Sequence, residues 1–136
     1  LVGNCSAQDV LAQATPRFRS IELSALEYGD IADNKADPGL YARSRPENLQ
    51  DCDAFVSHSW HDDPQVKWAA LQRWRKNFLA AHGREPRVWL DKCCIDQSNI
   101  ERDLRCLPVF LSGCRHMVVF CGTTYLSRLW CIMEIF

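Results

Sequence analysis

Three short polar segments of the sequence contain the side chains that could bind a ligand or take part in a reaction. Residues 57–63 hold two serines, two histidines, two aspartates and a tryptophan, and residues 91–98 hold two aspartates, a lysine and two cysteines. Residues 122–127 add four hydroxyl groups. Imidazoles and carboxylates often move protons at active sites, and hydroxyls orient bound molecules. These segments are therefore the first candidates for a functional site.

Each polar segment follows a short apolar run, which predicts strands at residues 53–57, 87–90 and 116–121. The third run is apolar after His116, so we expect it to be buried on both faces. Helical patterns between the runs predict alternating strands and helices, hence a parallel sheet covered by helices on both faces. Ligands bind at the carboxyl ends of the strands in such sheets. The three polar segments are therefore expected to converge there.

Two helices are predicted between the strands. The first begins after the capping carboxylates of Asp62 and Asp63, with Pro64 in its first turn, and ends near residues 82–83. The spacing predicts an apolar face made of Trp68, Leu71, Trp74 and Phe78. Polar cover is expected from Lys67, Gln72, Arg73, Arg75 and Lys76. The second helix runs from Asn99 to about residue 111, divided near Pro108.

Composition excludes several classes of protein. The chain is 47% hydrophobic and 24% charged, as expected for a globular domain, and its net charge of -1 gives no basic excess for binding nucleic acid. No apolar run approaches the length of a membrane segment. Eight cysteines without a Cys-x-x-Cys pair favour a reducing, cytoplasmic location. A zinc site is not predicted, because its candidate ligands lack closely spaced pairs: Cys93, Cys94, Cys106, Cys114 and His116.

The two parts of the chain differ in pattern. Residues 1–50 carry scattered turn formers and no candidate chemistry, so they are expected to be a linker or the end of an upstream region. Residues 51–136 carry all three predicted strands. The sequence starts without methionine and stops inside an apolar pattern, so we expect a fragment of a longer protein.

Three motifs in residues 51–136 occur together in a fixed order. They are Cys-Asp-Ala-Phe-Val-Ser-His-Ser at 52–59, Val-Trp-Leu-Asp at 88–91 and Ser-Arg-Leu-Trp-Cys-Ile-Met-Glu at 127–134. In order and separation they resemble the Toll/interleukin-1 receptor (TIR) domain family, especially its plant and bacterial members. The resemblance implies a flavodoxin-like α/β/α fold with a parallel sheet. Only the first three of its five strands would be present, so the domain would be C-terminally truncated.

The resemblance leaves two functions open. Many TIR domains hydrolyse NAD⁺ at the bond between nicotinamide and ribose, with the glutamate of the third motif as the catalytic residue; here that residue is Glu134. NAD⁺ would be the substrate, and no cofactor is implied. The implied substrate contacts are Ser57, His58, Ser59, Trp60, Asp91, Lys92 and Trp130, with Trp60 and His61 able to stack on a ring.

The alternative is a non-catalytic module that binds other TIR domains in signal transduction, for example in innate immunity. Homo-oligomerisation is implied in either case: family enzymes often complete their site between two protomers, and the interaction module would self-associate through the loop after the second strand (the BB loop) and its neighbouring helices. Residues 90–97 lack the Pro-Gly pair of receptor-type members, which weakens the adaptor interpretation. Residues 58–63 replace the Gly-Glu-Asp loop of plant members, so the substrate contacts are not simply transferable.

Overall fold

The computed structural model describes residues 6–127 of the chain. The strands in this part are β1 (Arg19–Glu22), β2 (Arg45–Pro46), β3 (Cys52–His58), β4 (Arg87–Trp89) and β5 (Cys114–Phe120). The helices are α1 (Ala7–Ala14), α2 (Tyr28–Ile31), α3 (Pro38–Arg43), α4 (Pro64–His82), α5 (Asp91–Cys94), α6 (Ile100–Arg105) and α7 (Leu107–Ser112). Short 3-10 turns occupy Thr15–Arg17, Leu23–Ala25 and Tyr125–Ser127. Trp130 and Glu134 lie outside the described residues.

The strands form one mixed sheet in the order β2-β1-β4-β3-β5. The three strands predicted from sequence, β3, β4 and β5, are mutually parallel, with Ala54 opposite both Val88 and His116. Their spatial order places the first strand between the second and the third, as in flavodoxin-like sheets. The prediction of an α/β fold with a parallel sheet is confirmed at this level. Two further strands, β1 and β2, extend this sheet by antiparallel pairing.

Residues 6–50 share a single hydrophobic core with the rest of the described chain. β1 pairs directly with β4, with Ile21 opposite Val88. The most deeply buried apolar side chains of this segment are Phe18, Ile21, Leu23 and Leu40. The sequence predicts a linker or the end of an upstream region here, because the apolar residues are scattered among turn formers and give no periodic pattern.

The long helix α4 starts and ends where the sequence predicts. Asp63 caps its first turn by accepting a hydrogen bond from the Gln65 amide at 2.8 Å, and Gly83 ends it in the left-handed conformation with φ 68°. Leu71 is buried as expected, while Trp68 and Trp74 pack against the edge of the core. The prediction for Lys67 was wrong, because this residue is buried and points to the end of β3.

The connection after β4 and the strand β5 differ in part from expectation. The predicted division of the second helix is confirmed, with α6 and α7 meeting at Cys106, just before Pro108. Residues 91–98 were expected to be a polar loop, but they begin with α5, whose Cys93 and Cys94 are buried. β5 lies at the edge of the described sheet and is not buried on both faces, since Val119 exposes 41% of its surface.

Among residues 6–127, no helix has both the length and the apolar character needed to cross a membrane. The same residues contain no group of three or more histidine, cysteine or acidic side chains placed to hold a metal ion.

Candidate functional site

A cleft of about 340 Å³ opens at the carboxyl ends of β3 and β4. Two of the three polar segments line it, and their residues in the cleft wall are His58, Ser59, Trp60, His61, Asp91, Lys92, Ile95 and Gln97. Its volume falls at the lower end of the range for small-molecule sites. The cleft thus lies where ligands bind in parallel α/β sheets.

Asp91 is the centre of the polar contacts in the cleft. Its Oδ1 accepts a hydrogen bond from the Lys92 amide at 2.7 Å and lies 3.4 Å from His58 Nε2. Its Oδ2 accepts a hydrogen bond from the Trp60 indole N–H at 3.1 Å. Burial alone would raise the pKa of Asp91, but His58, Trp60 and the Lys92 amide outweigh it and leave the pKa below its usual value. Asp91 is therefore an ionised carboxylate at neutral pH.

Lys67 reaches the same group from α4. Its ammonium donates to the main-chain oxygen of Ser59 at 2.8 Å and lies 3.4 Å from His58 Nδ1. Because an ammonium group can only donate, this contact favours the His58 tautomer that carries its proton on Nε2, facing Asp91. The carboxylate and the lysine together fix the orientation of the imidazole.

Two cations and a histidine lie near the Trp60 ring. Lys67 Nζ is 5.0 Å and Lys92 Nζ is 5.5 Å from the centre of a Trp60 ring, within the range of cation–π attraction. His58 meets the same indole edge-on, with ring centres 4.3 Å apart. With its N–H bound to Asp91, the indole has a fixed orientation in the cleft wall.

Part of the cleft lining is apolar. Ile100 and Leu104 of α6 line the cleft and expose 44% and 37% of their surface, and the buried Ile95 lies beside them. Apolar side chains left accessible in a concave site favour binding of a flat or apolar group.

The segment 122–127 meets the end of β3, as predicted, and Thr124 Oγ1 lies 2.7 Å from the hydroxyl of the cleft residue Ser59, although residues 122–127 do not themselves line the cleft. Ser57 does not line the cleft, since its hydroxyl is buried 2.6 Å from the Tyr125 hydroxyl. Thr124 donates from its amide and its hydroxyl to Asp62 Oδ1, at 2.8 and 2.7 Å. The expectation that Asp62 caps α4 was therefore wrong; Asp63 caps this helix and Asp62 holds the turn after β5.

The sequence did not predict the role of Lys67, which contacts the cleft residues His58 and Ser59, nor the cleft residues outside the polar segments, which are Asn34, Lys35, Ala36, Ile100 and Leu104. Lys67 was detectable, because it lies four residues before Leu71 and seven before Trp74, on the apolar face of the predicted helix. Asn34, Lys35 and Ala36 belong to an irregular loop in which no sequence pattern indicates a site.

Comparison with protein-family models, with curated proteins and with solved structures found no match to this chain. The geometry of the cleft and the three sequence motifs are therefore the features that indicate a function.

Proposed function

We propose that the protein is a TIR-like NAD⁺ hydrolase that cleaves the bond between nicotinamide and ribose. The observation that carries this proposal is the grouping of His58, Ser59, Trp60, Asp91 and Lys92 in one cleft. These are five of the seven positions to which the TIR resemblance assigns substrate contact. They come from two separate segments of the chain, residues 58–60 and 91–92, and only the fold brings them together.

The walls of the cleft suit one end of a dinucleotide. The Trp60 indole, oriented by Asp91, is the ring in the cleft wall on which a nicotinamide or adenine ring would stack, and Ile100 and Leu104 add apolar surface to the same cleft. The ionised carboxylate of Asp91 places negative charge near the bound group. That charge favours the cationic nicotinamide ring and the positive charge that develops on the ribose as the bond breaks.

The reaction needs few catalytic groups. The bond from C1′ to the ring nitrogen breaks with its electron pair moving to the nicotinamide, which leaves as a neutral molecule. A water molecule adds to C1′ of the oxocarbenium-like species and gives up a proton, which yields ADP-ribose. A carboxylate beside the ribose stabilises this species, and we assign that role to Glu134. No proton donor is required for the leaving group.

The proposal is tested by incubating the folded protein with NAD⁺ at high protein concentration and measuring nicotinamide release by chromatography. A Trp60→Leu variant is expected to lose about tenfold in kcat/KM, because stacking of one ring on an aromatic side chain contributes about 1–3 kcal/mol. Trp68→Leu is the matched control. Trp68 lies on α4 and packs against Tyr28 at a ring distance of 6.3 Å, away from the cleft lining.

Two results would count against the proposal. If folded protein leaves NAD⁺ untouched, the non-catalytic TIR interaction module becomes the better account. If NAD⁺ is cleaved equally well by the Trp60 variant, the chemistry takes place outside this cleft.

A further inference from the structure

Lys92 lines the cleft, but its ammonium group also binds the loop before α3. The side chain is buried, with 7% of the residue exposed. Its Nζ donates to the main-chain oxygen of Asp33 at 2.8 Å and approaches Asp33 Oδ1 at 3.3 Å. The TIR resemblance assigns Lys92 to substrate contact, but in the structure its ammonium is bound to the N-terminal segment of the chain.

Asp33 begins an exposed loop, residues 33–37, which we call the rim loop. The helices on either side are anchored in the core by the buried side chains of Ile31 and Leu40. Arg43 ties these two helices together, since it donates to Asp30 Oδ1 at 2.7 Å. The ends of the rim loop are therefore fixed, and Lys92 holds it from the cleft side.

The rim loop forms part of the cleft wall through Asn34, Lys35 and Ala36. Among residues 6–127, the Lys35 ammonium has neither a hydrogen bond nor an ion pair to another side chain. Asp33 Oδ1 accepts a hydrogen bond from the Lys35 amide at 2.9 Å, so the backbone at Lys35 is set by the residue that Lys92 binds. Fixing Asp33 thereby fixes the position from which Lys35 extends.

We propose that Lys92 is a positioning residue that holds the rim loop in place, so that Lys35 binds a phosphate group of the substrate. This inference rests on the proposed function in naming the substrate as a nucleotide. It makes the N-terminal segment, which lies outside the TIR resemblance, a part of the binding site. The ammonium of Lys35 would meet the pyrophosphate of NAD⁺, while Trp60 holds one of its rings.

The first experiment is a double-mutant cycle on NAD⁺ cleavage with Lys92→Met and Lys35→Gln. Each single variant is expected to raise KM about tenfold and to leave kcat within about twofold, since a misplaced loop lowers the binding-competent fraction without touching the reacting atoms. Because Lys92 acts through the loop, the double variant should resemble Lys92→Met alone. If the two effects multiply, Lys92 contacts the substrate directly and the proposal fails.

Two variants serve as controls for charge and for the acceptor. Lys92→Arg keeps a cation and should restore most of the affinity that Lys92→Met loses. Asp33→Asn keeps both the main-chain oxygen and the side-chain acceptor for the Lys35 amide and removes only the carboxylate charge 3.3 Å from Lys92 Nζ, so its KM should rise less than that of Lys92→Met. A rise in KM as large as that of Lys92→Met would show that Lys92 holds the loop through the Asp33 carboxylate. That result would contradict the attachment through the main-chain oxygen.

A second readout needs no catalysis. Trypsin cleavage after Lys35, followed by mass spectrometry, should be several-fold faster in Lys92→Met than in wild type, with the melting temperature nearly unchanged, because only a local opening is affected. Unchanged cleavage would overturn the positioning role. If wild type does not cleave NAD⁺, the same cycle is read from ADP-ribose affinity by calorimetry, and the trypsin result still decides the positioning role. Failure of this inference is thus distinguishable from failure of the proposed function.

Discussion

Replacing Asp91 by asparagine should lower the rate of NAD⁺ cleavage about 100-fold, because small displacements of positioning groups have effects of this size. In the native protein one carboxylate oxygen faces His58 and the Lys92 amide, and the other faces the Trp60 indole. An asparagine turns its NH₂ toward one of these sides in either orientation. A donor then faces a donor, so the indole or the imidazole must move.

The measurement is kcat/KM for nicotinamide release, with folding checked by circular dichroism. Asp96→Asn is the matched control, since Asp96 lies five residues further along the same segment and its carboxylate accepts bonds from Ser98. Asp96 does not line the cleft, and its replacement should change the rate by less than about twofold. A rate for Asp91→Asn within about threefold of wild type would show that Asp91 does not organise the site.

Protonation of the Asp91 carboxylate should lower the rate of NAD⁺ cleavage at acid pH. Because the pKa of Asp91 is lowered in the folded protein, its charge persists at pH values where a free aspartate is protonated. Its contribution is complete above the usual aspartate pKa and is lost as pH falls below about 4. The pH profile of wild type should therefore fall in acid, and Asp91→Asn should remove the part of that fall due to this residue.

Asp53→Ala should lower the free energy of unfolding by about 2–3 kcal/mol. Asp53 is 2% exposed and receives both arms of the Arg84 guanidinium, at 2.8 and 2.7 Å. It also accepts a hydrogen bond from the Arg87 amide at 2.8 Å, which ties β3 to the start of β4. In the variant Arg84 can turn to solvent, but the Arg87 amide loses its partner.

Urea unfolding at neutral pH measures this effect, with Asp51→Ala as the comparison. Asp51 lies two residues earlier, and its ion pair with Arg115 at 3.9 Å is half exposed on both sides, so its loss should cost less than about 0.5 kcal/mol. Burial alone would raise the pKa of Asp53, but the Arg84 and Arg87 contacts lower it on balance. The difference between wild type and Asp53→Ala should therefore shrink as pH falls below about 4. Equal stability at neutral pH would refute the structural role of Asp53.

The parts of the fold that follow local chemistry were predictable from sequence. Asp63 and Gly83 mark the ends of α4 because a capping carboxylate and a left-handed glycine have strong positional preferences. The three parallel strands were found because each is a continuous apolar run next to turn residues. β1 and β2 were not found, since they are only four and two residues long and are specified by pairing with β4 and with each other.

In the candidate site, too, some residue positions were predictable from the sequence and others were not. The positions of Trp60 and Asp91 followed from the rule that polar residues after parallel strands meet at one edge. The attachment of Lys92 to Asp33 joins residues 59 positions apart, and no local pattern carries information on such a contact. Ser57, which the TIR resemblance assigns to substrate contact, does not line the cleft, and its hydroxyl faces that of Tyr125.

The most direct test of the account is the rate of nicotinamide release by wild type and by Glu134→Gln, measured side by side with Glu101→Gln as a control on the exposed start of α6. We expect wild type and the control to release nicotinamide equally, and Glu134→Gln to be slower by about 1,000-fold, since it removes the charge that stabilises the oxocarbenium-like species. Release by Glu134→Gln at the wild-type rate would contradict the assigned chemistry.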